Sequence, residues 1–363
     1  MDYLRIGIVG SSGWVEFGYL QRLKDHPRAR IVALCGRDQQ RAQSVAEKYG
    51  ISRVESDWRK LLDRGALDAL IVVVPDDLHR DIVLAACERK LAVLCEKPLA
   101  NTAPDAWTMQ AAASQAGTTN MVLFTWRWQP HFVFLNDLLK QGGLGRPLRA
   151  QLGFLAGYMR VPEYSWRMDP RRSNGNFADL GSHMIDLARF FFGDPRRVTA
   201  ELGTAIDRTH VTGLEGAPVN DNARVLLGYD DGLSVLIETS CVTPMGDRFM
   251  SQILRLETTT ASVALDYHFG GIEQGLHLRI ADSDGPWRTL DVPSSYYGKS
   301  DARDFMDIYS CEPVGARYFV DCALDGRAAV PDFTDGARVQ ELVDATLRSS
   351  AERVTVELSS LPS

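Results

Sequence analysis

The chain has 363 residues, with 40 Lys and Arg against 47 Asp and Glu, so its formal charge is −7. Hydrophobic residues make up 45% of the sequence and charged residues 24%, which excludes an intrinsically disordered chain. The net acidic charge argues against nucleic acid as a partner, because phosphate binding needs a basic face. At about 150 residues per domain, the length favours two domains.

The N-terminal sequence MDYLRIGIVG has no basic n-region and no small-residue cleavage site, so no signal peptide is expected. No run reaches the ~18 uncharged apolar residues of a membrane-spanning helix, so no membrane partner is expected. The six cysteines form no CxxC pair and mostly lie in apolar runs. This pattern favours reduced core thiols in a cytoplasmic protein, and no metal site is predicted.

The first part of the chain alternates apolar runs with amphipathic stretches. Strands are predicted at 4–10, 30–36, 67–75, 91–96 and 119–125, and helices at 15–25, 39–49, 78–90 and 102–117. The run LDALIVVVP is apolar throughout, which is typical of a strand buried on both faces of a parallel sheet. The alternation predicts an α/β domain over residues 1–125 with a doubly wound parallel sheet.

Residues 126–363 show a different pattern. Helices are predicted near 133–141, 177–192, 315–323 and 335–353, with an extended segment over 148–158 and the clearest strands at 225–228, 234–238, 253–258 and 261–267. Consecutive strands joined by tight turns predict a large, mostly antiparallel open sheet in an α+β domain. Packing of the last helix against the first domain is an alternative to its packing within the second.

The turn Gly10-Ser11-Ser12-Gly13 lies between the first predicted strand and the first predicted helix. A glycine-rich turn at this place lets backbone N–H groups approach the pyrophosphate of a dinucleotide. The match to GxGxxG is imperfect, because Ser12 takes the second glycine position and Val15 the third. A tight turn that binds no ligand is the alternative.

The end of the second strand bears on the choice between NAD and NADP. NAD enzymes usually have Asp or Glu there, whereas this chain has Gly36-Arg37-Asp38. Arg37 suits a 2′-phosphate, which favours NADP. A solvated Arg37, or an Asp38 that reaches the ribose, are the alternatives, so both cofactors stay open.

Two motifs follow later strands of the first domain, Val74-Pro75-Asp76-Asp77-Leu78-His79 and Cys95-Glu96-Lys97-Pro98. With them the sequence resembles the Gfo/Idh/MocA oxidoreductases, which include glucose–fructose oxidoreductase and inositol dehydrogenases. The resemblance continues at Trp126-Arg127, at GNFADLGSHMID over 175–186 and at DFTDGARVQELVDA over 332–345, in the family's order. It implies a Rossmann domain that binds NAD or NADP and an activity on CH–OH groups.

Asp179 and His183 are four residues apart on a predicted helix and therefore share a face. A carboxylate beside an imidazole fixes the tautomer of the ring and stabilises its charged form. An ion pair on the helix surface is the alternative. The resemblance implies that Lys97, Asp179 and His183 form the catalytic group. His183 is then the general base for a substrate hydroxyl, and Lys97 stabilises the developing alkoxide.

The resemblance also implies which residues contact the ligands. The expected cofactor contacts are Gly10, Ser11, Ser12, Gly13, Trp14, Gly36, Arg37, Val74, Pro75, His79, Glu96, Lys97 and Arg127. The expected substrate contacts are Lys97, Trp166, Arg167, Asp179 and His183. For Tyr158 and Arg160, ordinary packing and surface exposure are favoured, and His79 is equally compatible with a helix start.

Two stretches depart from the family's pattern. Ser12 interrupts the glycine turn, and Asn174-Gly175-Asn176 stands where a glycine-rich stretch usually precedes the catalytic helix. Asn tolerates left-handed backbone, so the loop is expected to keep its conformation.

The resemblance implies that the substrate is a sugar, a sugar derivative or a cyclitol. Together with the apolar face of the open sheet, it also implies a homodimer or homotetramer. Two alternatives stay open. One is a glycoside-cleaving relative that holds NAD tightly and oxidises its substrate transiently. The other is a non-catalytic dinucleotide-binding sensor or partner subunit.

Overall fold

A computed structural model describes residues 2–63, 66–161, 163–217 and 219–358. The chain divides into two compact units: Met1–Trp128 with Tyr297–Gln340, and Gln129–Tyr296 with Glu341–Ser363. The segment 297–340, which the sequence analysis assigned to the domain over 126–363, thus belongs with the first unit. The reason is physical: Phe319 and Val320 pack into the core of that unit.

The strands are β1 (Leu4–Val9), β2 (Ala29–Cys35), β3 (Arg53–Glu55), β4 (Ala69–Val72), β5 (Ala92–Glu96), β6 (Asn120–Leu123), β7 (Pro147–Ala156), β8 (Arg197–Gly203), β9 (Asn222–Gly228), β10 (Ser234–Ser240), β11 (Met250–Thr258), β12 (Ala261–Phe269), β13 (Gly275–Asp282), β14 (Arg288–Thr289) and β15 (Val356–Glu357). The α-helices are α1 (Gln21–Leu23), α2 (Gln39–Tyr49), α3 (Trp58–Asp63), α4 (His79–Glu88), α5 (Ala103–Ala116), α6 (Pro130–Lys140), α7 (Ser182–Phe192), α8 (Ile308–Cys311), α9 (Ala316–Asp325) and α10 (Phe333–Glu352). Two π-helical turns (Val15–Leu20 and Phe177–Gly181) and 3₁₀ turns at Asp76–Leu78, Thr125–Trp128, Tyr158–Arg160, Trp166–Met168 and Ser294–Tyr296 complete the elements. No helix within the described ranges is long and apolar enough to cross a membrane.

The first unit contains a six-stranded sheet in the order β3-β2-β1-β4-β5-β6, and its paired strands are parallel. Every residue of β4 and β5 is buried, as expected for strands covered on both faces. The doubly wound parallel sheet is therefore confirmed. The strand order reverses between β1 and β4, and ligands of open α/β sheets bind at such a point.

The second unit contains a nine-stranded sheet in the order β14-β13-β12-β11-β7-β10-β9-β8-β15. Only the β7–β10 pair in this sheet is parallel among the described residues. Along β11, buried residues alternate with partly exposed ones, because one face of the sheet is covered and the other is open. The mostly antiparallel open sheet is thus confirmed.

Several elements differ from the sequence analysis. The elements β3 and α3 were not predicted, because each is too short to show a period. The predicted helices 15–25 and 177–192 each begin with a π-helical turn instead of a regular helix. The helix predicted from 133 begins at Pro130, because proline fits the first helical position.

Candidate active site

The glycine turn of the first unit is closed to larger residues at its first position. Gly10 has a φ of +131°, and a Cβ added there would lie 2.1 Å from the carbonyl oxygen of Val73. Ser12, Gly13 and Trp14 are exposed at the start of the following helical segment. Because the first N–H groups of a helix have no partner within the helix, this turn fits the pyrophosphate of a dinucleotide.

The end of β2 has no room for an acidic side chain. A Cβ added at Gly36 would lie 2.4 Å from the hydroxyl oxygen of Ser11. Asp38 is engaged as the N-cap of α2, where its carboxylate accepts a hydrogen bond from the backbone N–H of Arg41 at 3.0 Å. A side chain at this position, where NAD enzymes have their ribose-binding acid, would therefore require Ser11 and Ala42 to shift.

Arg41 is a candidate cofactor residue that the sequence analysis missed. Its Nε donates to the carbonyl oxygen of Ser11 at 2.6 Å, and its Nη2 lies 3.6 Å from the ideal Cβ position of Gly13. The available signal was its place in the first turn of a helix, since helical side chains point back towards the N-terminus. Arg37, which the sequence did single out, is exposed.

Glu96 ends β5 and accepts hydrogen bonds from two side chains of the first helical segment. Trp14 Nε1 donates to Glu96 Oε1 at 2.5 Å, and the Tyr19 hydroxyl donates to the same oxygen at 2.7 Å. The backbone N–H of Lys97 donates to Glu96 Oε2 at 3.1 Å. The predicted residues Trp14, Glu96 and Lys97 are thus joined by the structure of the first unit.

His79 lies beneath the loops that follow β4 and β5. Its Nε2 is 2.9 Å from the carbonyl oxygen of Val74, and its Nδ1 is 3.1 Å from that of Pro98. The side chain is fully buried, and burial lowers the pKa of its imidazole. This geometry favours a role in holding the Val74-Pro75 and Lys97-Pro98 segments over direct contact with a ligand.

Arg127 lies in the 3₁₀ turn Thr125–Trp128 and is largely buried. The neighbouring Trp126 stacks on Phe305, with ring centroids 5.7 Å apart. The backbone position of Arg127 is therefore fixed by the packing of this turn in the first unit.

In the second unit, Asp179 lies in the π-helical turn that leads into α7, and His183 lies in the first turn of α7. Only 9% of Asp179 and 7% of His183 is exposed, which excludes the solvated ion pair considered as the alternative. The His183 ring contacts Phe154 of β7, with centroids 6.1 Å apart. Both side chains are therefore held within the unit.

The carboxylate of Asp179 accepts two hydrogen bonds from residues of the preceding loop. The Tyr158 hydroxyl and Arg167 Nε both donate to Asp179 Oδ2, the latter at 2.9 Å. Burial, followed by the Asp179 charge, raises the pKa of Tyr158 well above its usual value. Packing was favoured for Tyr158 from the sequence, but its hydroxyl contacts the predicted residue Asp179, so Tyr158 is a further candidate for the site.

Trp166 and Arg160 lie on the same loop as Arg167. The Arg167 guanidinium lies over the Trp166 ring, 4.4 Å from its centroid, so the pair is preassembled. Arg160 Nη1 donates to the carbonyl oxygen of Val242 at 2.9 Å, so this residue fastens the loop. Arg160 is also exposed, as the sequence favoured.

The segment before α7 keeps its turn through glycine and not through asparagine. Gly175 has a φ of +79°, whereas Asn176 is right-handed with a φ of −54°. A Cβ added at Gly175 would lie 2.7 Å from the carbonyl oxygen of Asn220. Asn176 instead donates from Nδ2 to the Thr239 hydroxyl at 2.8 Å. The expectation that an asparagine adopts the left-handed conformation is therefore corrected at Asn176.

The described part of the chain contains no group of three or more His, Cys, Asp or Glu arranged to hold a metal ion. A doubly wound parallel sheet with a glycine turn in one unit, and a buried aspartate and histidine one helical turn apart in the other, are the features expected of a nicotinamide-dependent oxidoreductase.

Comparison with known proteins gives the family. Residues 4–124 match the model of the Gfo/Idh/MocA oxidoreductase family, NAD-binding Rossmann fold, and residues 132–263 match that of the Gfo/Idh/MocA C-terminal domain. The chain belongs to the Gfo/Idh/MocA family and is an NAD(P)-dependent oxidoreductase acting on CH–OH groups.

Individual relatives cover nearly the whole chain. D-xylose 1-dehydrogenase (NADP(+)) 2 of Haloferax volcanii is 30% identical over 98% of this chain and 100% of its own length. D-apiose dehydrogenase of Paraburkholderia graminis is 27% identical over 98% of this chain and 90% of its own length. The solved structure of levoglucosan dehydrogenase in complex with NADH and L-sorbose has the same fold, with a TM-score of 0.84 at 22% identity, covering 99% of this chain and 100% of that one.

Proposed function

We propose that the chain transfers a hydride between NADP or NAD and a secondary alcohol or ketone of a sugar, a sugar derivative or a cyclitol. The observation that carries this proposal is the carboxylate of Asp179, which Tyr158 and Arg167 hold one helical turn before the buried His183. Carboxylates accept hydrogen bonds from the hydroxyl groups that such substrates offer. The names of the xylose and apiose dehydrogenases support the same substrate class.

In this proposal Lys97, Asp179 and His183 carry the chemical step. His183 takes the proton of the reacting hydroxyl as general base. Lys97 donates a hydrogen bond to the developing alkoxide and stabilises its charge. Asp179 binds a neighbouring substrate hydroxyl. Trp166 and Arg167 contact the substrate. The nicotinamide, when bound, supplies the hydride chemistry.

NADP is the proposed cofactor of preference. Gly36 leaves no space for the acid that binds the ribose hydroxyls of NAD, and Asp38 already caps α2. Arg41 reaches the glycine turn, and Arg37 follows the strand end. Two guanidinium groups at this place suit a 2′-phosphate, because Arg makes charge-assisted hydrogen bonds to phosphate oxygens.

The experiment that tests the function is a turnover screen of sugars and cyclitols with NADP+ and with NAD+, using Lys97→Ala as the inactive variant. Loss of Lys97 is expected to lower turnover by a factor of about 100 or more. Lys24→Ala is the matched control, because the Lys24 side chain is 60% exposed. Near-normal turnover in Lys97→Ala contradicts the assignment, and tight retention of cofactor without net redox change points to glycoside cleavage.

We also propose that the protein is a homodimer or homotetramer and that it is cytoplasmic. On the open face of the second unit's sheet, Leu226 of β9 is 46% exposed and lies opposite Leu236 of β10. A second copy of the chain covering this face would remove these side chains from water. Size-exclusion chromatography with light scattering tests the assembly, and Leu226→Arg is expected to dissociate it.

A further inference from the structure

Glu96 connects the helical segment after the glycine turn to the peptide of Lys97. One carboxylate oxygen accepts from Trp14 Nε1 and from the Tyr19 hydroxyl, and the other accepts from the backbone N–H of Lys97. Only 7% of Glu96 is exposed. The three bonds together hold both oxygens of the carboxylate and so restrict its orientation.

Trp14 makes its hydrogen bond across the sheet. It follows β1, whereas Glu96 ends β5, and β4 lies between these two strands. The indole therefore passes over the carboxyl edge of the sheet at the point where the strand order reverses, which is where open α/β sheets bind their ligands. The side chain is 37% exposed, so a ligand in this crevice has access to it.

The indole ring of Trp14 packs against the main chain at Gly18. This residue lies in the π-helical turn Val15–Leu20, and a Cβ added to it would lie 3.1 Å from Trp14 Cε2. The ring therefore lies against main chain and has little freedom to move away. Single π-helical turns are frequent at functional sites.

Tyr19 contacts the same carboxylate from the protein core, whereas Trp14 contacts it from the solvent-exposed crevice. Its side chain is fully buried, so it has no access to a ligand in the crevice. Burial, followed by the Glu96 charge, raises the pKa of its phenol, which therefore stays protonated and donates at neutral pH. Trp14 and Tyr19 thus make equivalent bonds to Glu96, one at the crevice and one in the core.

We propose that Glu96 is a positioning residue for Lys97, and that Trp14 couples the position of Lys97 to occupation of the glycine turn by the dinucleotide. This inference rests on the proposed function in assigning chemistry to Lys97 and a dinucleotide to the turn. Removing either donor loosens Glu96, and the Lys97 N–H then loses its fixed acceptor. A dinucleotide that presses on the indole tightens the same connection.

The test measures hydrogen exchange of the Lys97 amide in Trp14→Phe and Tyr19→Phe, each of which removes one donor and keeps an aromatic ring. Overlapping peptides isolate this amide, because Pro98 has none. We expect exchange at Lys97 to be about tenfold faster in both variants than in the wild type. NADPH is expected to slow the exchange in the wild type and in Tyr19→Phe, but not in Trp14→Phe.

A second readout separates positioning from cofactor contact. In Tyr19→Phe the single-turnover rate of hydride transfer is expected to fall about tenfold while the Kd for NADPH stays within about threefold. The matched control is Tyr229→Phe, because the buried Tyr229 hydroxyl has no hydrogen-bond partner in the described part of the chain.

Wild-type exchange at Lys97 in Tyr19→Phe overturns the positioning role of Glu96. An equal effect of NADPH on Lys97 exchange in Trp14→Phe and in the wild type overturns the coupling through Trp14. If no sugar or cyclitol is turned over, the proposed function has failed, and the exchange measurement still decides the positioning role.

Discussion

The hydroxyl of Tyr158 donates a hydrogen bond to the carboxylate of Asp179, a residue 21 positions further along the chain. Arg167 donates to the same oxygen, so the carboxylate is fixed from two sides. Because burial beside Asp179 raises the pKa of Tyr158, the phenol stays protonated and keeps donating through neutral pH. Asp179 is thereby held in one orientation a helical turn before His183.

Replacing Tyr158 by Phe tests this arrangement. The variant keeps the ring and removes the donor, so Asp179 loses the hydrogen bond from Tyr158. We expect kcat/KM to fall by roughly 10- to 100-fold, the range for a lost hydrogen bond to a charged group. Steady-state kinetics with the substrate found in the screen measure this. Tyr229→Phe is the control, and equal kcat/KM in both variants contradicts a site role for Tyr158.

Replacing Arg41 by Ala tests the cofactor preference. The variant loses the guanidinium that bonds the Ser11 carbonyl at the glycine turn. We expect the Kd for NADPH to rise by roughly tenfold or more, with that for NADH changed less than about threefold, because only NADPH carries the 2′-phosphate. Fluorescence titration of nucleotide-free protein measures both constants.

Arg59→Ala is the control for Arg41→Ala, since Arg59 is exposed on α3 and its guanidinium stacks on Trp58. A parallel Arg37→Ala variant apportions the effect between the two candidate arginines. Equal weakening of NADH and NADPH in Arg41→Ala shows that Arg41 shapes the turn and does not select the cofactor.

The sequence predicted the features that depend on neighbours along the chain. Strand alternation, the glycine turn and the spacing of Asp179 and His183 are all local patterns. The missed contacts depend on tertiary structure instead: Arg41 meets Ser11 over 30 positions, and Trp14 meets Glu96 over 82. No periodicity encodes such pairs, because they arise only when parallel strands bring their carboxyl ends to one edge.

The boundary between the two units was also not predictable from local sequence patterns. The segment 297–340 reads as part of the second domain because it follows that domain's strands. Its place is set by apolar burial, since Phe319 and Cys322 join the core of the first unit. Amphipathic helices show which face is buried, but not which core receives that face.

The buried ion pair between Arg208 and Asp221 gives a stability prediction. Arg208 Nη1 lies 2.8 Å from Asp221 Oδ2, and the two side chains are 2% and 0% exposed. Arg208 Nη2 also donates to the carbonyl oxygen of Met159, next to Tyr158. Arg208→Met leaves a buried carboxylate without its counter-charge, so we expect the free energy of unfolding to fall by about 3–5 kcal/mol.

Chemical denaturation of the wild type and Arg208→Met measures this loss. Arg149→Met is the matched control, because the Arg149–Glu257 pair is exposed, at 69% and 43% of the two side chains, and such pairs contribute little. Unfolding midpoints that shift equally in both variants contradict the assignment of stability to the buried pair.

Acid sensitivity is expected from His131 at the start of α6. Burial lowers the pKa of its imidazole from 6.5 to about 3, and its ring contacts Tyr267 with centroids 4.9 Å apart. Between these two values the unfolded chain binds a proton that the folded chain does not. His131 therefore contributes stability that is present above pH 6.5 and is lost as the pH falls towards 3, by up to about 1.4 kcal/mol per pH unit.

His131→Phe removes this titration and keeps an aromatic ring against Tyr267, so the free energy of unfolding should depend less steeply on pH in this window. The measurement is urea denaturation at several pH values from 7 down to the acid limit of folding. His210→Gln, at an exposed position, is the control and should keep the wild-type slope. The slope is the decisive quantity, because repacking around a phenylalanine changes stability equally at every pH. A slope in His131→Phe equal to that of the wild type would show that the imidazole is protonated in the folded protein, against the effect expected from its burial.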